Sequence, residues 1–105
     1  MSQPTATRTV VVTNESGIHA RAATLVAELV RGFDCKVVLI KGNERVEGTD
    51  VLQVLSLGAG QGNELSLEAT GHDAEKVLDA LVQLFTDNFS EEQCADKEGN
   101  GTENK

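Results

Sequence analysis

Between Glu64 and Phe85 the apolar period of the chain switches from two to 3.6, and this switch constrains the fold more than any other feature. Leu65, Leu67 and Ala69 alternate with Glu64, Ser66, Glu68 and Thr70, the pattern of a strand with one face in a core and one in water. Directly after it, Ala74, Val77, Leu78, Leu81, Val82 and Phe85 recur at i, i+3, i+4, i+7, i+8 and i+11, with Glu75, Lys76, Asp79 and Gln83 opposite. That is an amphipathic helix, and Asp73 is placed to cap it. A strand and a helix that each carry one apolar face can bury those faces against each other, so the chain is committed to layers.

The remaining elements repeat the alternation. Residues 7–13 are rich in β-branched side chains and read as a strand, with Asn14-Glu15-Ser16-Gly17 as a loop. Ala23, Val26, Ala27 and Val30 then stand at i, i+3, i+4 and i+7, a helical stripe beginning near Ala20 and closing before Gly32, which sets His19 at or beside the N-cap. Residues 35–41 read as a strand apolar on both faces, joined through Gly42-Asn43 to a strand over 44–47. Residues 51–57 read as a helix of about two turns, capped by Thr49 or Asp50 and closed by Gly58, Gly60 and Gly62. The order is β-α-β-β-α-β-α without repeat or linker. Alternating strand faces call for an antiparallel sheet with helices on one side, a two-layer α+β domain.

With no Trp, no Tyr and three Phe in 105 residues, the core has to be aliphatic. One domain over residues 1–89 is expected, followed by an acidic tail over 90–105 with five acidic and two basic residues and little to bury. The formal charge of −8 argues against nucleic acid as a partner, because neutralising phosphates takes clustered Lys and Arg. No window approaches the roughly 20 apolar residues of a membrane span. Cys35 and Cys94 lie far apart and outside any CxxC spacing, so no disulfide framework is expected and a reducing, cytoplasmic compartment fits. Nothing in the sequence demands more than a monomer.

The chemistry concentrates in Gly17-Ile18-His19-Ala20-Arg21. A helix start offers amides without intrahelical partners and partial positive charge, which suits an anion carried on His19. Neutral imidazole is a competent nitrogen nucleophile near pH 7, and the Arg21 guanidinium matches phosphate oxygens as a fork. Phosphate binding falls to Ala20, through its backbone, and to Arg21. Other features read more plainly. His72 is a surface residue with no second ligand spaced for a metal, and Cys35 fills core. Gly58-Ala59-Gly60-Gln61-Gly62 lacks the Lys-Ser/Thr of a phosphate loop and makes a turn. No cofactor and no metal are implied.

Order and motif together resemble the HPr family, the histidine-containing phosphocarriers of the bacterial phosphotransferase system. The resemblance covers residues from about Thr7 to Phe89. It is carried by Gly17-Ile18-His19-Ala20-Arg21 at the first helix, Val54-Leu55-Ser56-Leu57-Gly58 in the short helix, and Glu68-Ala69-Thr70-Gly71 after the last strand. It implies an open-faced sandwich, sheet order 1-4-2-3, with three helices on one face. It also implies a carrier rather than a free-standing enzyme. His19 would take a phosphoryl group from phosphorylated enzyme I through Nδ1 and pass it to an A-type receiver domain, with Arg21 assisting.

Partners would dock on Ala20, Thr24, Arg31, Val51, Leu52 and Leu55. In places the sequence departs from the family pattern. Glu28 stands where the family has a lysine, Ala22 where most members have proline, and Asp50 where many carry a regulatory serine. Asp50 is either a plain cap or a permanent imitation of the phosphorylated serine. Gly32-Phe33-Asp34, Leu67-Glu68-Ala69-Thr70-Gly71 and Leu84-Phe85 resemble the nitrogen-related branch, which leaves sugar transport and regulation both open as roles. A second reading is a non-transferring module that binds regulatory proteins through the same surface.

Overall fold

Leu65, Leu67 and Ala69 lie fully buried while Ser66, Glu68 and Thr70 between them do not, so the alternation read from the sequence is the alternation in space. A computed structural model describes residues 4–90. The chain runs through β1 (Thr5–Val11), α1 (Ala20–Arg31), β2 (Lys36–Lys41), β3 (Glu44–Glu47), α2 (Val51–Ser56), β4 (Glu64–Thr70) and α3 (Ala74–Thr86), and closes in a 3₁₀ turn over Asn88–Ser90. The strands form one antiparallel sheet in the order β1-β4-β2-β3. The three helices pack on one of its faces, giving the expected α+β sandwich with an open sheet. Residues 1–3, the expected tail from residue 91 onward and Cys94 lie outside the described residues.

Between sheet and helices the core is aliphatic, as the scarcity of aromatic residues requires. Leu39, Leu65 and Leu67 meet Val26, Val30, Val54, Val77, Leu78 and Leu81 there. Phe85 and Phe89 are its buried aromatic pair, with ring centroids 4.9 Å apart and planes at 64°. On the open face, exposed pairs such as Lys36–Glu47 at 3.4 Å and Arg45–Glu68 at 2.6 Å cover Val38 and Ile40 with charge. Pairs this exposed add little to stability.

Several local expectations shift. The first strand lies two residues earlier than the β-branched run predicts, because register is set by its partner: Thr5 pairs with Thr70 and Val11 with Glu64, and beyond them Val12 N–H donates to Asn63 O at 2.9 Å while Val12 O accepts from Gly62 N–H at 2.8 Å, which breaks the regular ladder. Asp73 stands at the N-cap of α3 but makes no capping bond. Its backbone at φ −101°, ψ 24° is not extended, and its carboxylate instead accepts from Asp34 N–H at 2.8 Å. Gly32 does end α1, though in a right-handed conformation. The Gly42-Asn43 hairpin turn is a two-residue loop between paired Lys41 and Glu44, with Gly42 left-handed at φ +60°. Cys35 is half-buried at the core's edge, where burial and the nearby Asp73 and Asp34 carboxylates push its thiol pKa up.

Candidate functional site

His19 is the N-cap of α1, with extended backbone at φ −88°, ψ −175° and no capping bond from its imidazole to the first turn. The first intrahelical bond runs from Ala23 N–H to His19 O at 2.9 Å. The amides of Ala20, Arg21 and Ala22 therefore precede it, aimed out of the helix end. No acidic residue occupies this first turn, so the partial positive charge there is uncancelled. The side chain of Arg21 is exposed two residues after His19, and His19 itself is half-exposed.

A tight local scaffold sets this helix start. Gly17 is left-handed at φ +66°, and a Cβ there would stand 2.6 Å from Ala59 O and 2.9 Å from Gly60 Cα. Only glycine lets the two loops touch. The same Ala59 carbonyl accepts from Ile18 N–H at 3.0 Å, and Ile18 is buried. From the other side Asn14, only 5% exposed, donates through Nδ2 to Gly17 O at 2.8 Å. The glycine-rich stretch is thus a turn, and its role is to hold the histidine loop from behind. Gly60 N–H donates to Asn63 Oδ1 at 2.8 Å and Gln61 Nε2 to Thr13 O at 3.1 Å. The motif marks His19 and Arg21 in the sequence, whereas Asn14 and Ala59 read only as loop and turn residues.

α1 and α2 lie side by side and antiparallel. The entrance of α1 is tied to Ala59, just beyond the end of α2, while at its other end Arg31 Nη2 donates to Thr49 O at 3.0 Å, just before α2 begins. Ala20, Thr24 and Arg31 of α1 and Leu52 of α2 are exposed, while Val51 and Leu55 are half-buried against the core. Leu52 is 77% exposed, the most open large apolar side chain among the described residues. Thr24 turns its hydroxyl back to Ala20 O at 2.9 Å. Asp50 caps α2: its carboxylate accepts from Gln53 N–H at 3.1 Å and Gln53 Nε2 at 3.2 Å, while Gln53 Oε1 accepts from Glu47 N–H at 3.0 Å. His72 is exposed, and no group of three potential metal ligands occurs among the described residues.

A family model described as the PTS HPr component phosphorylation site matches residues 6–87, which takes in this whole scaffold. The chain belongs to the HPr family. Phosphocarrier protein HPr of Treponema pallidum is 38% identical over 85 residues, covering 81% of this chain and 97% of the relative. Phosphocarrier protein NPr of Escherichia coli K12 is 39% identical over 90 residues, covering 84% and 99%. Among solved structures, HPr-C-His from Thermoanaerobacter tengcongensis superposes with a TM-score of 0.78 at 34% identity, over 82% of this chain and 97% of that one. The HPr fold and a place among the phosphocarriers of the phosphotransferase system follow. HPr and NPr relatives match almost equally well, so identity alone does not choose between the branches. Among the described residues of this HPr-type chain, no helix is long and apolar enough to cross a membrane.

Proposed function

We propose that this phosphocarrier holds its phosphoryl group on His19, accepting it from phosphorylated enzyme I and handing it to an A-type receiver domain. The observation that carries the reading is the helix entrance: a half-exposed imidazole at the N-cap of α1, with three outward-facing amides and Arg21 at its side and no carboxylate in the turn. In the transfer, a ring-nitrogen lone pair of His19 forms an N–P bond as the donor's bond to phosphorus breaks and its electron pair leaves with the donor. Charge spreads over the three phosphoryl oxygens at that moment, where the amides of Ala20 and Arg21 and the guanidinium meet it. Onward transfer runs the same step in reverse, so the hold has to be modest. An open helix tip with one forked cation satisfies that better than an enclosed pocket would.

Docking falls to the surface built by Ala20, Thr24 and Arg31 of α1 with Val51, Leu52 and Leu55 of α2, apolar at its centre and basic at its edge. Asp50, in the place of the regulatory serine, acts as a permanent cap of α2, since both of its carboxylate oxygens are engaged by Gln53. The resemblance of three segments to the nitrogen-related branch favours a regulatory pathway over sugar transport. The reading places the protein in the cytoplasm, as a monomer.

Incubation with phosphoenolpyruvate and enzyme I from the same organism tests the carrier role. An acid-labile mass gain of one phosphoryl group is expected, lost in His19→Ala and slowed in Arg21→Ala. A protein that stays unlabelled while a control carrier is labelled would leave the non-transferring module as the function.

A further inference from the structure

β1 is an end strand of the sheet, with β4 on one side and no described element paired on the other. Val12 turns both its N–H and its C=O to the β4 side, to Asn63 O and Gly62 N–H, and Pro4 O accepts from Gly71 N–H there. By the alternation of an antiparallel pair, Thr5, Thr7, Thr9 and Val11 therefore send their main-chain groups outward. The opposite end strand, β3, is four residues long and three of them are charged, Glu44, Arg45 and Glu47, a common defence of an edge against pairing. β1 is seven residues long, and its one charged side chain, Arg8, is drawn off to α3.

An apolar groove of about 310 Å³ adjoins this edge, lined by Thr9, Val10 and Val11 of β1 and by Val82, Phe85 and Thr86 of α3. Along the same side of α3, Glu75, Asp79, Val82 and Thr86 stand at i, i+4, i+7 and i+11. Arg8 Nη2 meets both carboxylates, Glu75 at 2.5 Å and Asp79 at 3.7 Å, so one guanidinium is shared between two acids and the stripe keeps a negative excess. Glu64, opposite Val11 on β4, and Asp87, next to Thr86, add to it.

We infer that this edge takes up a basic, extended segment of a partner protein as a fifth strand. Main-chain bonds to β1 hold the segment, and every second side chain of an added strand falls on the helix side, where an aliphatic one enters the groove. Lysines or arginines on the segment meet the acidic stripe. Charge decides against two other occupants. A second copy would bring the same acidic stripe and a net charge of −8 against its own kind, and residues 91–105 carry five acids against two bases. The edge shares no residue with the α1–α2 docking surface, so a partner held there leaves His19 open to transfer.

The test titrates the full nitrogen-15-labelled chain with a capped heptapeptide alternating lysine and valine. Amide shifts are expected at Thr5, Thr7, Thr9 and Val11, with hydrogen exchange there slowed about tenfold at saturation. A peptide alternating glutamate and valine should bind about tenfold more weakly, and one with its lysines and valines in separate blocks about threefold. Thr9→Pro removes an outward N–H without touching the bonds to β4 and should weaken binding about fivefold. If that variant fails to fold, Asp79→Asn at an exposed position decides, with a loss of about threefold that high salt abolishes. No shifts, or shifts confined to α1 and α2, overturn the proposal. Edge amides already protected before peptide is added overturn it too: protection that grows with protein concentration assigns the edge to a second copy, and protection lost on deleting residues 91–105 assigns it to that segment.

Discussion

A methyl group on Gly17 would have to enter the space of the Ala59 carbonyl, on a backbone already left-handed. Gly17→Ala is therefore expected to cost about 2 kcal/mol or more, read from the urea midpoint, and to slow phosphorylation of His19 further than the lost stability alone explains, because the helix entrance moves. Asn14→Ala removes the bond to Gly17 O from a buried position and should cost about 1–3 kcal/mol in the same assay. These residues also mark where sequence reading stops. His19 and Arg21 were legible because their meaning is local, a nucleophile and a cation at a helix start. Ala59 acts through a backbone carbonyl that any residue would supply, and Asn14 acts through a contact made only once the loop has folded. Neither leaves a pattern in the chain.

Among the elements, composition, periodicity and turn signals place every strand and α-helix to within two residues, the 3₁₀ turn over Asn88–Ser90 has no counterpart in the sequence reading, and the other differences lie at ends and caps. β1 slid toward the N-terminus because the partner strand, not β-propensity, decides which residues pair. Asp50 and Asp73 have the same side chain at the same kind of position, but only Asp50 has the extended backbone that brings its carboxylate over the first turn. Asp50→Ala should cost about 1 kcal/mol of stability by thermal or urea unfolding, while Asp50→Ser, which caps as well, should stay within a few tenths. If Asp50→Ser also leaves transfer rates unchanged, the residue is a cap alone; a marked change would show that its charge imitates a phosphorylated serine.

For the whole molecule, strand alternation and the amphipathic helices were enough to require two layers, but they say nothing of which strand neighbours which. The order β1-β4-β2-β3 was legible only through the family resemblance, since it follows from pairings between distant segments. The same holds for how the domain closes. Phe89, left-handed at φ +57° and almost fully buried, packs edge-on to Phe85 and seals the core below α3. Phe89→Ala is expected to cost about 3–5 kcal/mol, a large share of what a domain of this size has, and to lower its melting temperature sharply. On the proposed function, the sheet and helices hold one imidazole at one helix tip. Nitrogen-15 labelling of the histidines, followed by phosphorus–nitrogen NMR after phosphorylation by enzyme I, asks directly whether they do so. The expected spectrum has a single phosphorus coupling, to Nδ1 of His19. Coupling to His72, or phosphorus attached to no histidine, would contradict it.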